Sequence, residues 1–409
     1  MAVHPADPTR QRLGMQPVSE GATVTSIELF FDLVFVFALT QVTQGMADEL
    51  SWRGVLRGVL LMGLLWWSWV AYAWLFNIVR ADEGVVRIVL FASMGAMFIL
   101  SLAIPEAFDD LPGGLYGPVV IALCYFVFRM LHLVWFWIVA KDDPGLRRQL
   151  LRWAPAVFLA TALLLLASRF EGPVLTLFWA LALLVDYGGT YLIGPGGWRL
   201  RSATHFSERH GLILIIALGE SIVAIGVGVA ALPISWPIIV ASLLGLTVAA
   251  ALWWAYFDVG AKLGEQALEQ VSGVDQAAMG RDGYSYLHFP MITGIVLLAL
   301  GLKKVLEYVG DTEHHDLADH LTGIGLYALY GGVVLFLLGH IGFKARMVRE
   351  WNPVRIGAAI VIVALIPFAA SIPALAALAV LTGVTVIMVA IETFRFADMR
   401  EAIRHGESH

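Results

Sequence analysis

The sequence is poor in charge and nearly without cysteine. Only 14% of its 409 residues are Asp, Glu, Lys or Arg, against 59% hydrophobic, a balance foreign to ordinary water-soluble domains. The single cysteine, Cys124, excludes an intramolecular disulfide and any paired-cysteine metal or redox site. No Gly-rich phosphate loop of the P-loop kind occurs, so nucleotide hydrolysis is not expected. Basic residues are scattered among short connections, which gives nucleic acid no patch to bind. The first 26 residues are polar and contain proline, unlike a cleaved signal peptide, so the first apolar run is expected to insert directly. No cofactor is expected.

Long apolar runs are what the chain has in abundance. Twelve lie at roughly 27–46, 54–79, 85–105, 116–140, 153–169, 173–193, 210–232, 237–258, 287–305, 322–343, 355–371 and 373–394. Each is near the ~20 residues that carry a helix across ~30 Å of hydrocarbon. The two halves of the chain match in order. Ala38-Leu-Thr-Gln41 answers Ala217-Leu-Gly-Glu220, Leu65-Trp-Trp67 answers Leu252-Trp-Trp254, Phe128 to His132 answers Phe336 to His340, and Val185-Asp186 answers Ile391-Glu392. An internal repeat at this scale is common in transporters. The expected fold is therefore an all-α polytopic membrane protein, with twelve transmembrane helices as two parallel six-helix repeats. Its expected parts are a cytoplasmic tail 1–26, a first repeat 27–193, a linker 194–209, a second repeat 210–394 and a tail 395–409.

Lys and Arg set the orientation. Twenty lie on the side of the N-terminus and five opposite (Arg53, Arg57, Arg169, Lys303, Lys304), with Arg129 inside the fourth run. This bias predicts cytoplasmic termini at a bacterial inner membrane and an even number of spans.

A charge in mid-bilayer costs roughly 2.5–3.5 kcal/mol on insertion scales, so each one needs a reason. Glu28 and Asp32 are four residues apart, on one helix face. They either complement a helix start or form a cation or proton site. His205, Glu208 and His210 stand at the beginning of the seventh run, where Ser207 is a candidate cap. Glu220 lies deep in that run among apolar residues and is the leading candidate for a coupling carboxylate. Arg129 needs a counter-charge, with Glu220, Asp186 and Asp32 as the choices. Asp186 precedes two glycines, and Glu392 is near enough to a helix end to snorkel. His132 and His340 hold matching repeat positions and are either packed, hydrogen-bonded histidines or proton carriers. His288 is expected at the interface. The stretch 259–283 is expected to form a short amphipathic surface helix, and the acidic, His-containing loop 306–320 to be solvated.

The runs Glu28-Leu-Phe-Phe-Asp32-Leu-Val-Phe, Glu208-Arg-His-Gly-Leu and Ala217-Leu-Gly-Glu220 resemble the hallmarks of the bacterial low temperature requirement A family, over about residues 20 to 395. The resemblance implies a polytopic bacterial inner-membrane protein without naming a substrate, with Glu28, Asp32, Glu208, His210 and Glu220 as motif positions. Phe30-Phe31-Asp32 also resembles the FSD motif of a six-span potassium-channel family. Phe31 in place of Ser, and Ser26 where that motif has Arg, argue against potassium conduction.

The expected function is a proton- or cation-coupled secondary transporter of a small ion or small molecule, in the lipid bilayer. Its site would lie between the halves and draw together Asp32, Arg129, Asp186 and Glu220. The alternatives are a gated channel, or an intramembrane metal enzyme built on His205, Glu208, His210 and Asp186. Oligomeric state is left open.

Overall fold

The apolar runs are helical throughout the computed structural model, which describes residues 18–82, 84–230 and 232–395. Of the expected tails, 1–17 and 396–409 lie outside these residues, and with them Arg10, Arg12, Arg400 and Arg404 of the charge count. The described helices are α1 (Ser26–Asp48), α2 (Trp52–Phe76), α3 (Val86–Leu102), α4 (Gly117–Val139), α5 (Pro144–Ala167), α6 (Gly172–Ile193), α7 (Ala203–Val229), α8 (Trp236–Phe257), α9 (Gly260–Glu269), α10 (Gly273–Met279), α11 (His288–Gly310), α12 (Gly323–Val348), α13 (Pro353–Ala369) and α14 (Ala374–Arg395). A π-helix, Gly280–Tyr286, leads into α11. Among the described residues the fold is all-helical, with one isolated bridge between His320 and Pro373. Among the described residues ten helices are long and apolar enough to cross a membrane, while α3 and α13 are apolar but 17 residues long.

Local chemistry explains the helix starts. Thr25 precedes α1 with Glu28 at the third helical position, the Thr-x-x-Glu spacing of a capping box, and the Thr25 hydroxyl donates to Glu28 Oε1 at 3.0 Å. At α5 the cap is Asp143, whose carboxylate accepts from Leu146 N at 2.9 Å with Pro144 following it. Helix α5 thus begins nine residues before the apolar run at 153. Helix α7 begins at Ala203, seven residues before its run. Ser202, not Ser207, is the cap, its hydroxyl accepting from His205 N at 3.1 Å. His205, Glu208 and Arg209 are therefore inside a helix. The stretch after α8 forms two short helices and the π-turn rather than one surface helix.

The described residues divide into two compact units: those within 18–42, 59–209 and 268–281 form the first, and those within 43–58, 210–267 and 282–395 the second. In the first, α3 packs on α4, α4 on α5 and α5 on α6. Its core includes an aromatic layer in which Phe31 stacks on Phe128 and meets Tyr72 and Phe76. In the second, α12 packs on α11, α13 on α12 and α14 on α13, with α8 against α11 and α14.

The α11–α12 pair is closest because glycines face it. A Cβ at Gly332 would stand 2.5 Å from Leu298 N, and one at Gly301 2.5 Å from the Leu329 backbone. Such small-residue contact lets membrane helices associate by van der Waals packing. Outward faces stay apolar: Ile88 and Phe98 of α3, Leu177 and Leu184 of α6, and Ile360 and Val363 of α13 are exposed. This is the surface expected against lipid tails.

Candidate functional site

The first unit buries a cluster of four ionisable side chains. Glu28 and Asp32 project from one face of α1, as their spacing requires. Arg209 of α7 reaches both, through Nη2 to Asp32 Oδ1 at 3.0 Å and Nη1 to Glu28 Oε2 at 3.4 Å. The Trp69 indole donates to Asp32 Oδ1 at 2.8 Å. His205 Nε2 lies 2.9 Å from Glu28 Oε2. All four ionisable groups are at most 2% exposed, and the guanidinium rests between the rings of Trp69 and Phe76. Asp32 Oδ2 and Arg209 Nε have no hydrogen-bond partner among the described residues.

Asn77 sets the hydrogen-bonding surroundings of His205. Asn77 Oδ1 accepts from Arg201 N at 2.7 Å, and Asn77 Nδ2 donates to Ser202 O at 2.7 Å, so the amide orientation is set by the chain leading into α7. That leaves Asn77 Nδ2, a donor, 3.5 Å from His205 Nδ1. The tautomer that accepts at Nδ1 and donates from Nε2 to Glu28 satisfies both contacts. Glu208, by contrast, is exposed and accepts from Val24 N at 2.8 Å, holding the lead-in to α1.

A second cluster in the same unit surrounds Arg129 of α4. Its Nη2 donates to Asp186 Oδ1 of α6 at 3.0 Å and its Nη1 to Trp67 O at 3.1 Å. Tyr125 donates to Asp186 Oδ2 at 2.5 Å. The Trp153 ring covers the guanidinium at 4.5 Å. His132, one turn along α4, is buried against Tyr72, Phe136 and Trp153. Asp32 and Arg129 therefore have different partners. Tyr72, Phe31 and Phe128 fill the space linking the two clusters.

The second unit carries its own buried pair. Arg355 of α13 forks onto Glu392 of α14, through Nε at 2.8 Å and Nη2 at 2.9 Å. Asn352, the cap of α13, adds a bond to Glu392 at 2.5 Å. Arg355 Nη1 meets His340 Nδ1, and Nη2 also donates to Ala255 O at 2.7 Å. Glu392 is held in an ion pair rather than snorkelling. His210 packs edge-on against Tyr284 and His288. His288, the first residue of α11, is fully buried. Its Nδ1 lies 3.0 Å from Gly283 O, a carbonyl within the π-helix, and its Nε2 lies 2.8 Å from the Tyr256 hydroxyl. Glu220 is buried in this unit at 2% exposure.

Of the four expected site residues, Arg129 and Asp186 are brought together, Asp32 pairs with Arg209 and Trp69 instead, and Glu220 falls in the other unit. The group of the alternative, metal-enzyme reading does not assemble. His205 is bonded to Glu28, Glu208 to Val24 N, and Asp186 to Arg129 and Tyr125. Among the described residues no three His, Cys, Asp or Glu side chains gather as metal ligands. Sequence reasoning missed Arg209 and Arg355 by counting both as loop charges. The one available signal was that Arg209 follows Asp32's motif partner Glu208 directly.

Comparison with known proteins gives two findings. The family model described as bacterial low temperature requirement A protein matches residues 23–390. An uncharacterized protein of Rhizobium meliloti is 28% identical over 383 residues, covering 89% of this chain and 87% of that protein.

Proposed function

The chain belongs to the bacterial low temperature requirement A family and is a multi-pass bacterial membrane protein, and we propose that it works as a proton-coupled secondary transporter. The observation that carries this reading is the mismatch of charge in the first cluster. Two buried carboxylates share one guanidinium, and the imidazole beside them is neutral by its hydrogen bonds. Fully ionised, the cluster would hold a net negative charge in a low-dielectric interior, where it is expensive. One added proton neutralises it. Asp32 Oδ2, which accepts nothing, is the position open to that proton.

A proton held in this way couples to movement. When it leaves, Asp32 binds Arg209 and Trp69 more tightly; when it returns, the hold of α1 on α2 and α7 weakens. Buried ionisable groups of this kind mark proton paths in membrane transporters. Glu220, buried on α7, is the proposed second carboxylate of the path, with Arg129 and Asp186 as the charge pair that positions α4 and α6. Twelve spans, as two parallel repeats with both termini cytoplasmic, form the architecture we propose around it. Its support is the order of sequence matches and two buried pairs, Arg129–Asp186 and Arg355–Glu392, whose acids occupy matching repeat positions. The bias of Lys and Arg to one side survives removal of the buried Arg209 and Arg355 from the count.

The test is ion flux in proteoliposomes under imposed proton, sodium and potassium gradients. Wild type should move protons and Asp32→Asn should not. Flux of sodium or potassium alone, untouched by Asp32→Asn, would refute the reading.

A further inference from the structure

The second cluster contains an arrangement that its ion pair leaves unexplained. Arg129 uses both terminal nitrogens, but its Nε–H has no hydrogen-bond partner among the described residues. Three residues along the same face of α4, His132 is 1% exposed and neither of its ring nitrogens has one. The Ala71 backbone lies near the ring. Both side chains lie against the Trp153 ring, Arg129 over its face at 4.5 Å and His132 at 5.6 Å. Two unsatisfied donors this deeply buried cost about 1–3 kcal/mol each unless something accepts from them.

We propose that Arg129 Nε and His132 form a binding site for a small monovalent oxyanion, a carboxylate or an ion of nitrate's size, taken up together with one proton. This rests on the proton-coupled reading and names its substrate class. The charge balance requires the proton. Arg129 and Asp186 already neutralise each other, so an arriving anion adds one uncompensated negative charge to the interior. His132 removes it by taking a proton from water, becoming an imidazolium that donates to the anion beside Arg129 Nε–H. The ionisable groups around His132 are Arg129 from its own helix, the Tyr72 phenol from α2, and, beyond Arg129, Tyr125 and Asp186, the latter already held by Arg129 and Tyr125. The rings of Trp153, Tyr72 and Phe136 border His132, aromatic faces against which a planar ion can pack. His340, the repeat counterpart in the second unit, lacks such a site. Its Nδ1 is taken by Arg355, whose guanidinium is fully used by Glu392, Ala255 O and that ring.

The experiment uses the purified full chain in detergent, titrated with sodium nitrate or sodium acetate against sodium chloride at constant ionic strength. Melting temperature and proton uptake, the latter by pH indicator in weak buffer, are read together. Nitrate should stabilise the wild type saturably beyond chloride and draw in one proton per ion bound. Above the range in which imidazole protonates, apparent affinity should fall about tenfold per pH unit. His132→Gln should bind nitrate much more weakly, without proton uptake or pH dependence, Arg129→Lys should lose the nitrate effect, and His340→Gln, whatever its own melting temperature, should keep the wild-type nitrate response. If Arg129→Lys does not fold, His132→Gln decides. Nitrate and acetate acting only as chloride does on the wild type, or unchanged proton uptake in His132→Gln, would overturn the proposal. Proton flux by the same preparation, still sensitive to Asp32→Asn, would then show that the transport reading survives without it.

Discussion

Neutralising Asp186 should be among the most damaging single-atom changes in the chain. Asp186→Asn preserves shape and can keep the Tyr125 bond, but it leaves the Arg129 guanidinium, which is 0% exposed, without a counter-charge. Removing one partner of a buried pair costs about 3–5 kcal/mol. The Trp153 face stays over the cation at 4.5 Å and the Trp67 carbonyl still accepts from it; a cation–π contact of this kind is worth roughly 0.5–2 kcal/mol. The lower end of the range, about 3 kcal/mol, is therefore expected. The assay is equilibrium unfolding in mixed detergent–SDS micelles, followed by tryptophan fluorescence. Arg129→Met and Asp186→Leu combined should recover most of the loss, because an apolar pair needs no counter-charge, giving a coupling of at least about 2 kcal/mol. A loss under about 1 kcal/mol for Asp186→Asn, or additive single effects in the double variant, would refute the reasoning.

Further expectations concern other parts of the fold. Gly332→Ala should force α11 and α12 apart, since the new Cβ would meet backbone at 2.5 Å on Leu298 N and 2.6 Å on Gly294 O, at a cost of about 1–3 kcal/mol. Gly331→Ala, with nothing within 4 Å of its Cβ, is the control and should be neutral or stabilising in the same unfolding assay. Gly260→Ala would bring a Cβ to 2.7 Å from His340 Nε2, so it should disturb the ring's contact with Arg355 and lower the melting temperature, whereas Gly357→Ala, in open space, should not. In the turn between α2 and α3, the Arg80 side chain donates to Asp82 at 3.1 and 2.8 Å and holds its carboxyl below the usual carboxylate range. Because the folded pKa is the lower one, this contribution is complete above the unfolded value of about 3.9 and is lost as pH falls through the depressed one. The difference in melting temperature between wild type and Asp82→Asn should therefore be present at neutral pH and vanish in strong acid.

The helices were legible because hydrocarbon-crossing length and apolar composition are properties of contiguous sequence, and each of the twelve runs is helical. The family was legible from the same local source, the Glu28–Asp32 and Glu208–Glu220 runs. Partner choice was not. Periodicity placed Glu28 and Asp32 on one face of α1 but had no means of choosing between Arg129 and Arg209, because the bond to α7 joins residues 177 apart. Arg209 sits in the polar run His205–His210, which reads as a loop by composition. Its burial follows from the Ser202 cap, which starts α7 seven residues early, and from Asn77, which fixes that start. Arg355 was misread for a related reason: the Asn352 cap puts it inside α13, where Glu392 reaches it. The hydrogen-bonding surroundings of His205 were beyond sequence altogether, since they depend on which way a distant amide points.

The most direct test of the account is a proton count on the first cluster. Purified wild type, Asp32→Asn and Glu28→Gln would be titrated across neutral pH with protons bound measured by potentiometry. With two carboxylates to one guanidinium, the wild type should hold one proton more than the charged groups outside the cluster explain. Either substitution should remove it, leaving one acid matched to Arg209. Equal proton binding in all three proteins would contradict the account.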